Sequence, residues 1–295
     1  MKASRKFTLA IMTALTALSA AAVATGTVAW FTANSVVDVT GMNIQAKSEE
    51  GIVIANETHT AHADWNTSVT ASHDGDGNSF VPTSTLNTTN WYHGLAANAD
   101  DGQTDETVAA ITPVDNIPAA DPAPAYGTAD DGIYGFLDGA SWKNIYLLNS
   151  FFIQSSSVNA ISNQDIYVRD FAAQVGNTAP AQDLSRSLRV AVTKHGTATP
   201  IIVAPVTNAT AAYSVGPVDS KAACSAYTVT NVDTMVLDSA VSIPAYDVSG
   251  VNALQYDVFI YFEGEDVNCK SSNIEATLEQ IAVSFKFGNK NHVGA

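Results

Sequence analysis

The apolar positions of this chain fall into distinct regimes. From Phe7 to Ala29 they form an uncharged run rich in Ala, Thr, Leu and Val, preceded by Lys2, Arg5 and Lys6. From Val37 they alternate. Val37 and Val39 share one face, and Met42, Ile44 and Ala46 resume the alternation after Gly41, which can supply a bend or bulge between the two registers. Gly51 to Ala55 predicts a short strand after a turn at Lys47 to Gly51. From Asn56 to about Ala140 the hydrophobic runs vanish, and Pro113, Pro118, Pro122 and Pro124 exclude a central strand or a helix interior over Ile111 to Tyr126. This stretch predicts a surface insertion anchored by Trp65, Phe80, Trp91 and Tyr92, or else a small irregular subdomain.

From Ser141 strands return. Lys143 to Gln154 is apolar on both faces, as in a central strand, and Asp165 to Phe171 follows. Ser187 to Lys194 alternates with Leu188, Val190 and Val192 on one face, and Pro200 to Ala204 and Ala226 to Val232 are shorter. In the last two strands, Leu254, Tyr256, Val258, Ile260 and Phe262, then Ile281, Val283, Phe285 and Phe287, point inward. Repeated strands with turn signals, and no 3.6-residue period after the leader, predict an all-β antiparallel sandwich with a long irregular insertion after the first strands. The predicted divisions are 1–29, 30–55 (N-terminal strands), 56–140 (polar acidic insertion) and 141–295 (the remainder of the sandwich).

The leader has the n-, h- and c-regions of an export signal, with small-residue cleavage motifs at Ala22-Val23-Ala24 and Thr27-Val28-Ala29. The alternative is an uncleaved membrane anchor, for which the run is long enough but made largely of Ala, Thr, Ser and Gly, weak for a stop-transfer helix. Loss of Lys2, Arg5 and Lys6 with the signal takes the formal charge from −16 to −19. Such acidity argues against nucleic acid, whose phosphates would repel it, and against attraction to anionic lipid, leaving membrane contact to the uncleaved signal. Cys224 and Cys269 are two cysteines in an exported context and predict one disulfide; separately buried free thiols are the alternative.

The order Gly26-Thr27-Val28-Ala29-Trp30-Phe31-Thr32, then a Val-rich strand with Gly41-Met42-Asn43-Ile44, resembles the N-terminus of the TasA/camelysin group of exported proteins, processed by a SipW-type signal peptidase. The strand Tyr146 to Gln154, and Tyr261 to Cys269 with the alternating strand after it, are similar to later parts of that group. The resemblance implies cleavage between Ala29 and Trp30 and a jelly-roll-like sandwich. It also implies secretion to the matrix or surface of a Gram-positive bacterium, and assembly of identical subunits into biofilm fibres. Residues 56–140 are where the chain departs from small members of the group.

Several stretches carry candidate chemistry. His59, His62 and Asp64, with His73 and Asp76 nearby, are zinc-ligand types at close spacing, set against solvated loop histidines on a segment without a rigid scaffold. Asp74 and Asp76 resemble the start of a calcium loop, but Ser79 and Thr85 stand where an EF-hand requires Gly and Glu, which favours an Asp-Gly turn. Glu263, Glu265 and Asp266 could bind a cation or form a solvated acidic turn. The chain has no H-E-x-x-H helix, G-x-S-x-G elbow, P-loop or G-x-G-x-x-G, so no enzyme and no cofactor is expected.

The expected function is a secreted structural subunit that forms a homo-oligomeric fibre. The alternatives are a non-polymerising adhesin or glycan-binding module using Trp65, Trp91 and Trp142, and a camelysin-like metallopeptidase. In the first case Trp30 to Ala46, carrying Val37, Val39, Met42 and Ile44, is expected to act as a donor strand on a neighbour's sheet edge. A charge at Val39 or Ile44 then leaves a folded monomer that cannot assemble. If the strand is instead paired within its own sandwich, the same charge unfolds it.

Overall fold

The computed structural model describes residues 37–56, 65–85, 87–94, 108–113, 132–138, 141–175, 187–204, 214–215, 227–228, 235–263 and 281–293. These form strands in the order β1 (Val37–Ser48), β2 (Ile52–Asn56), β3 (Ser68–Phe80), β4 (Trp91–Gly94), β5 (Val108–Ile111), β6 (Ile133–Asp138), β7 (Ser141–Ser155), β8 (Ile161–Val175), β9 (Leu188–Lys194), β10 (Ile201–Val203), β11 (Ser214–Val215), β12 (Tyr227–Thr228), β13 (Met235–Ile243), β14 (Leu254–Phe262) and β15 (Ile281–Asn291). The fold is all-β, as the alternation predicts.

The main sheet runs β10-β9-β14-β7-β3-β1-β15-β8-β13, with β2 and β6 also pairing with β7. Its two halves are joined where Phe80 of β3 pairs with Asn144 of β7. One core lies between them, because inward side chains of both halves fall in a single cluster: Met42, Ile44, Val283 and Phe285 from one, Phe151, Val190, Val258 and Ile260 from the other. Aromatic rings cross the gap. Phe151 meets Phe285 edge-on at 5.8 Å and Tyr256 meets Phe287 at 5.6 Å. The inward sets predicted for β9, β14 and β15 all belong to this core, with Leu254 packed against its rim.

The two-sided character of β7 has a separate cause. A second cluster gathers Ile145, Tyr146, Ala191, Phe259 and Tyr261 on the opposite face of β7, β9 and β14, and Trp91 of the β4–β5 hairpin completes it. The chain therefore covers both faces of this half, which explains why β9 is buried almost from end to end.

The reading of 56–140 as a surface insertion is corrected in three ways. β3 lies inside these bounds and is an interior strand, antiparallel to β1. β6 pairs with β7. β4 and β5 form the covering hairpin. The Asp-Gly sequence at 74–77 is likewise not a turn between strands. It lies within β3 at a register shift, where Gly41 stands opposite Asp74 and Val39 opposite Asn78. The surplus residues are on β3, and Gly41 sits at the break as the sequence predicts.

The covering segment is tied down by polar contacts. The Val81 N–H donates to Asn144 O (2.7 Å) and the Thr83 N–H to Phe262 O (2.9 Å). The Ser84 hydroxyl donates to the Glu263 carboxylate. Glu263 is fully buried, so it is not part of a solvated acidic turn; Glu265 and Asp266 lie outside the described residues. Thr85 Oγ1 accepts from the Thr88 N–H (2.9 Å) and donates to Asn90 O (2.8 Å), shaping the turn that presents Trp91.

Candidate functional site: the slot of the first strand

Met42 to Ser48 of β1 has ladder partners on both sides. Met42 to Lys47 run antiparallel to β3, from Met42 opposite His73 to Lys47 opposite Ser68. Met42 to Ser48 also run parallel to β15, from Met42 beside Ile281 to Ser48 beside Phe287. The side-chain period of two then decides the faces. Met42, Ile44 and Ala46 are buried, while Asn43 and Gln45 are half-buried and Lys47 is exposed. Within its own chain β1 is not an edge strand: it occupies an interior slot of its own sheet. The described sheet order ends at β10 and β13. β10 is three buried residues, and β13 is broken by three register shifts with Ala240 at φ 54°, features that blunt an edge against further pairing.

A polar clasp closes the far end of the slot. The Glu49 N–H donates to Phe287 O (3.0 Å), and its carboxylate receives the Tyr167 hydroxyl and pairs with the Arg169 guanidinium, both from β8. Asp170 holds Lys286 of β15 at 2.7 Å and stands 3.8 Å from Arg169. Lys286 and Arg169 face one another in the β15–β8 register, so the carboxylates also relieve a like-charge pair. Lys286 and Arg169 hold the Asp170 carboxyl below the usual range. The Tyr167 ring lies over Gly288, where any Cβ would collide with the ring and with Glu49.

Burial first, and then the hydrogen bond to Glu49, push the Tyr167 hydroxyl up to about 12 from its ordinary value of 10.0. The neutral phenol is thus favoured in the folded state. Its stabilising contribution is complete below pH 10 and is lost as pH rises through 12. Discounted for solvent screening, the loss is about 1 kcal/mol. Alkaline denaturation followed by circular dichroism should show it, and Tyr167→Phe should remove that part of the pH dependence.

The other predicted site residues separate into three groups. Ala29, Trp30, His59, His62, Asp64, Cys224 and Cys269 lie outside the described residues. Asp74 and Asp76 are on β3, Asp74 opposite Gly41. Among the described residues, no three His, Cys, Asp or Glu side chains are grouped to hold a metal ion. The glycan-binding expectation for Trp91 is overturned, because its ring is 1% exposed and stacks on Tyr146 at 4.4 Å. Trp65 is half-buried.

One constellation escaped sequence reasoning. The Ser150 hydroxyl donates to Asp257 Oδ1 (2.7 Å), His195 Nδ1 stands 2.8 Å from Asp257 Oδ2, and Gln255 Nε2 donates to Ser150 Oγ (3.1 Å). The carboxylate stands between hydroxyl and imidazole, so His195 does not occupy the place of a base on Ser150 in this arrangement. No protein-family model, curated protein or solved structure matches this chain.

Proposed function

We propose that the chain is a secreted structural subunit that assembles head to tail into extracellular or cell-surface fibres, by donating β1 to the equivalent slot of another copy. The observation that carries this reading is the place of β1. The first described strand fills an interior slot between β3 and β15, and it leaves that slot through a corner containing Gly51 at φ 95°. An identical strand from another copy regains the same ladders and buries the same Met42, Ile44 and Ala46, so exchange changes few contacts outside the corner. Each subunit then gives one strand and receives one, and where the exchange runs on to a third copy instead of closing on the first two it propagates a filament. The export-signal pattern supports the extracellular setting, and the N-terminal resemblance to TasA-like proteins supports the fibre. A jelly-roll-like strand path and freeing of Trp30 by cleavage after Ala29 belong to the same proposal.

Electron microscopy of the processed protein tests assembly, and a cysteine pair tests the route. Asn43 and Ala282 are direct partners in the parallel β1–β15 register. Filaments of Asn43→Cys/Ala282→Cys subunits, once oxidised, should run as a covalent ladder on a non-reducing denaturing gel, while wild-type filaments run as monomers. Persistent monomers under the microscope reject the fibre. Filaments whose double-cysteine form stays monomeric on the gel reject strand exchange.

A further inference from the structure

We infer that the Glu49 clasp is a latch that sets how readily β1 leaves its slot, with the corner at Glu50 and Gly51 as the hinge. The inference rests on the proposed exchange of β1 and names its regulation. If exchange restores the same ladders and core contacts in the acceptor, those contacts favour neither state. What remains to be controlled is release. Release must break the ties at the end of β1 where the chain turns away, and Glu49 holds that end by backbone and side chain together. Its N–H is bonded to Phe287 O, and its carboxylate is bonded to Tyr167 and Arg169. All three partners belong to strands that stay behind.

The surroundings fit a latch. Tyr167 is held in place because Gly288 leaves room for its ring, and the ring is flanked by Arg169 at 6.0 Å and the Lys290 ammonium at 5.8 Å. Asp170 and Lys286 brace Arg169 from the far side. Lys47, exposed, stands beside Lys286 in the β1–β15 register, and Glu50 is exposed. At the hinge the Ile52 N–H reaches Glu49 O at a long 3.4 Å, a Cβ at Gly51 would meet nothing within 4 Å, and the Gly51 carbonyl accepts from the Ser156 N–H at 3.0 Å, a bond that opening must also break.

Hydrogen exchange read by mass spectrometry on the monomeric fraction tests the latch directly. Glu49→Gln should speed exchange of the Met42–Ser48 amides about tenfold, the loss expected for charge-assisted bonds at a half-open site. Exchange in β9 should stay within about twofold, as for a distant element opening independently. Tyr167→Phe should give a smaller selective effect and serves if Glu49→Gln folds poorly. Lys47→Gln removes a like charge beside Lys286 in the β1–β15 register and leaves the Glu49 bonds in place, so it should not speed β1 exchange. Equal exchange in β1 of variant and wild type, or uniform acceleration of β1 and β9, overturns the latch. A second readout is uptake of a labelled peptide spanning Trp30 to Glu50, which should quicken in step with β1 exchange. Selective acceleration without any uptake keeps the latch and rejects strand exchange.

Discussion

Aspartate at Ile44 is expected to abolish the folded state. Ile44 is completely buried, opposite Ala71 of β3 and beside Val283 of β15, both themselves buried. Shortening the side chain leaves a cavity worth about 2–4 kcal/mol, and an unpaired carboxylate in an apolar core adds several more. Together these approach or exceed the total stability of a typical domain, about 5–15 kcal/mol. Soluble yield should collapse, and no cooperative denaturant transition should remain. Asn43→Asp, one residue away on the outward face, should stay within about 0.5 kcal/mol of wild type. A well-folded Ile44→Asp monomer would place β1 outside the core and return it to a free strand. The pattern of residues alone led to that second expectation, and the two ladders flanking β1 reverse it.

The strands visible in the sequence are those whose side chains alone record burial. β15 alternates along its inward half because one face lines the common core, and β14 reads as apolar because its two faces line the two clusters. β3 was hidden because its apolar residues Val69, Ala71 and Phe80 are separated by Asp74-Gly75-Asp76-Gly77, which breaks any alternation in the sequence. It is a strand because β1 pairs with it along most of its length, and that is a tertiary cause. β13 shows a mixed burial pattern and three register shifts, so no period of two survives in its sequence. At the candidate site, the break at Gly41 was legible because a glycine there separates two alternations. The clasp was not, since Glu49 and Tyr167 lie 118 residues apart and meet through the β1–β15–β8 order. The pair Ser150 and Asp257, 107 residues apart, is hidden for the same reason. The anchoring role read for Trp91 agrees with its burial, while the surface it anchors against was not legible, because a tryptophan in a polar stretch carries no local sign of what covers it.

Trp91→Ala should cost about 3–5 kcal/mol, the range for truncating a fully buried aromatic side chain. Trp91 stacks on Tyr146, meets Tyr261 edge-on at 5.0 Å, lies 6.1 Å from Phe259, and donates its indole N–H to Thr88 O at 3.0 Å. These contacts join the β4–β5 hairpin to the outer face of β7 and β14, while Met42, Val258 and Phe285 belong to the other cluster. The damage should therefore be local first. Denaturant titration should split into an early step, in which the hairpin lifts and the exposed Tyr146, Phe259 and Tyr261 bind a hydrophobic dye, and a later step near the wild-type midpoint. Trp91→Phe should keep most of the stacking and lose the indole bond, costing about 1 kcal/mol for that bond plus the reduced packing. A Trp91→Ala protein that unfolds in one step at the wild-type midpoint would mean that the hairpin adds nothing to the sandwich. Unfolding in one step at a much lower midpoint would mean instead that the two cores are a single cooperative unit.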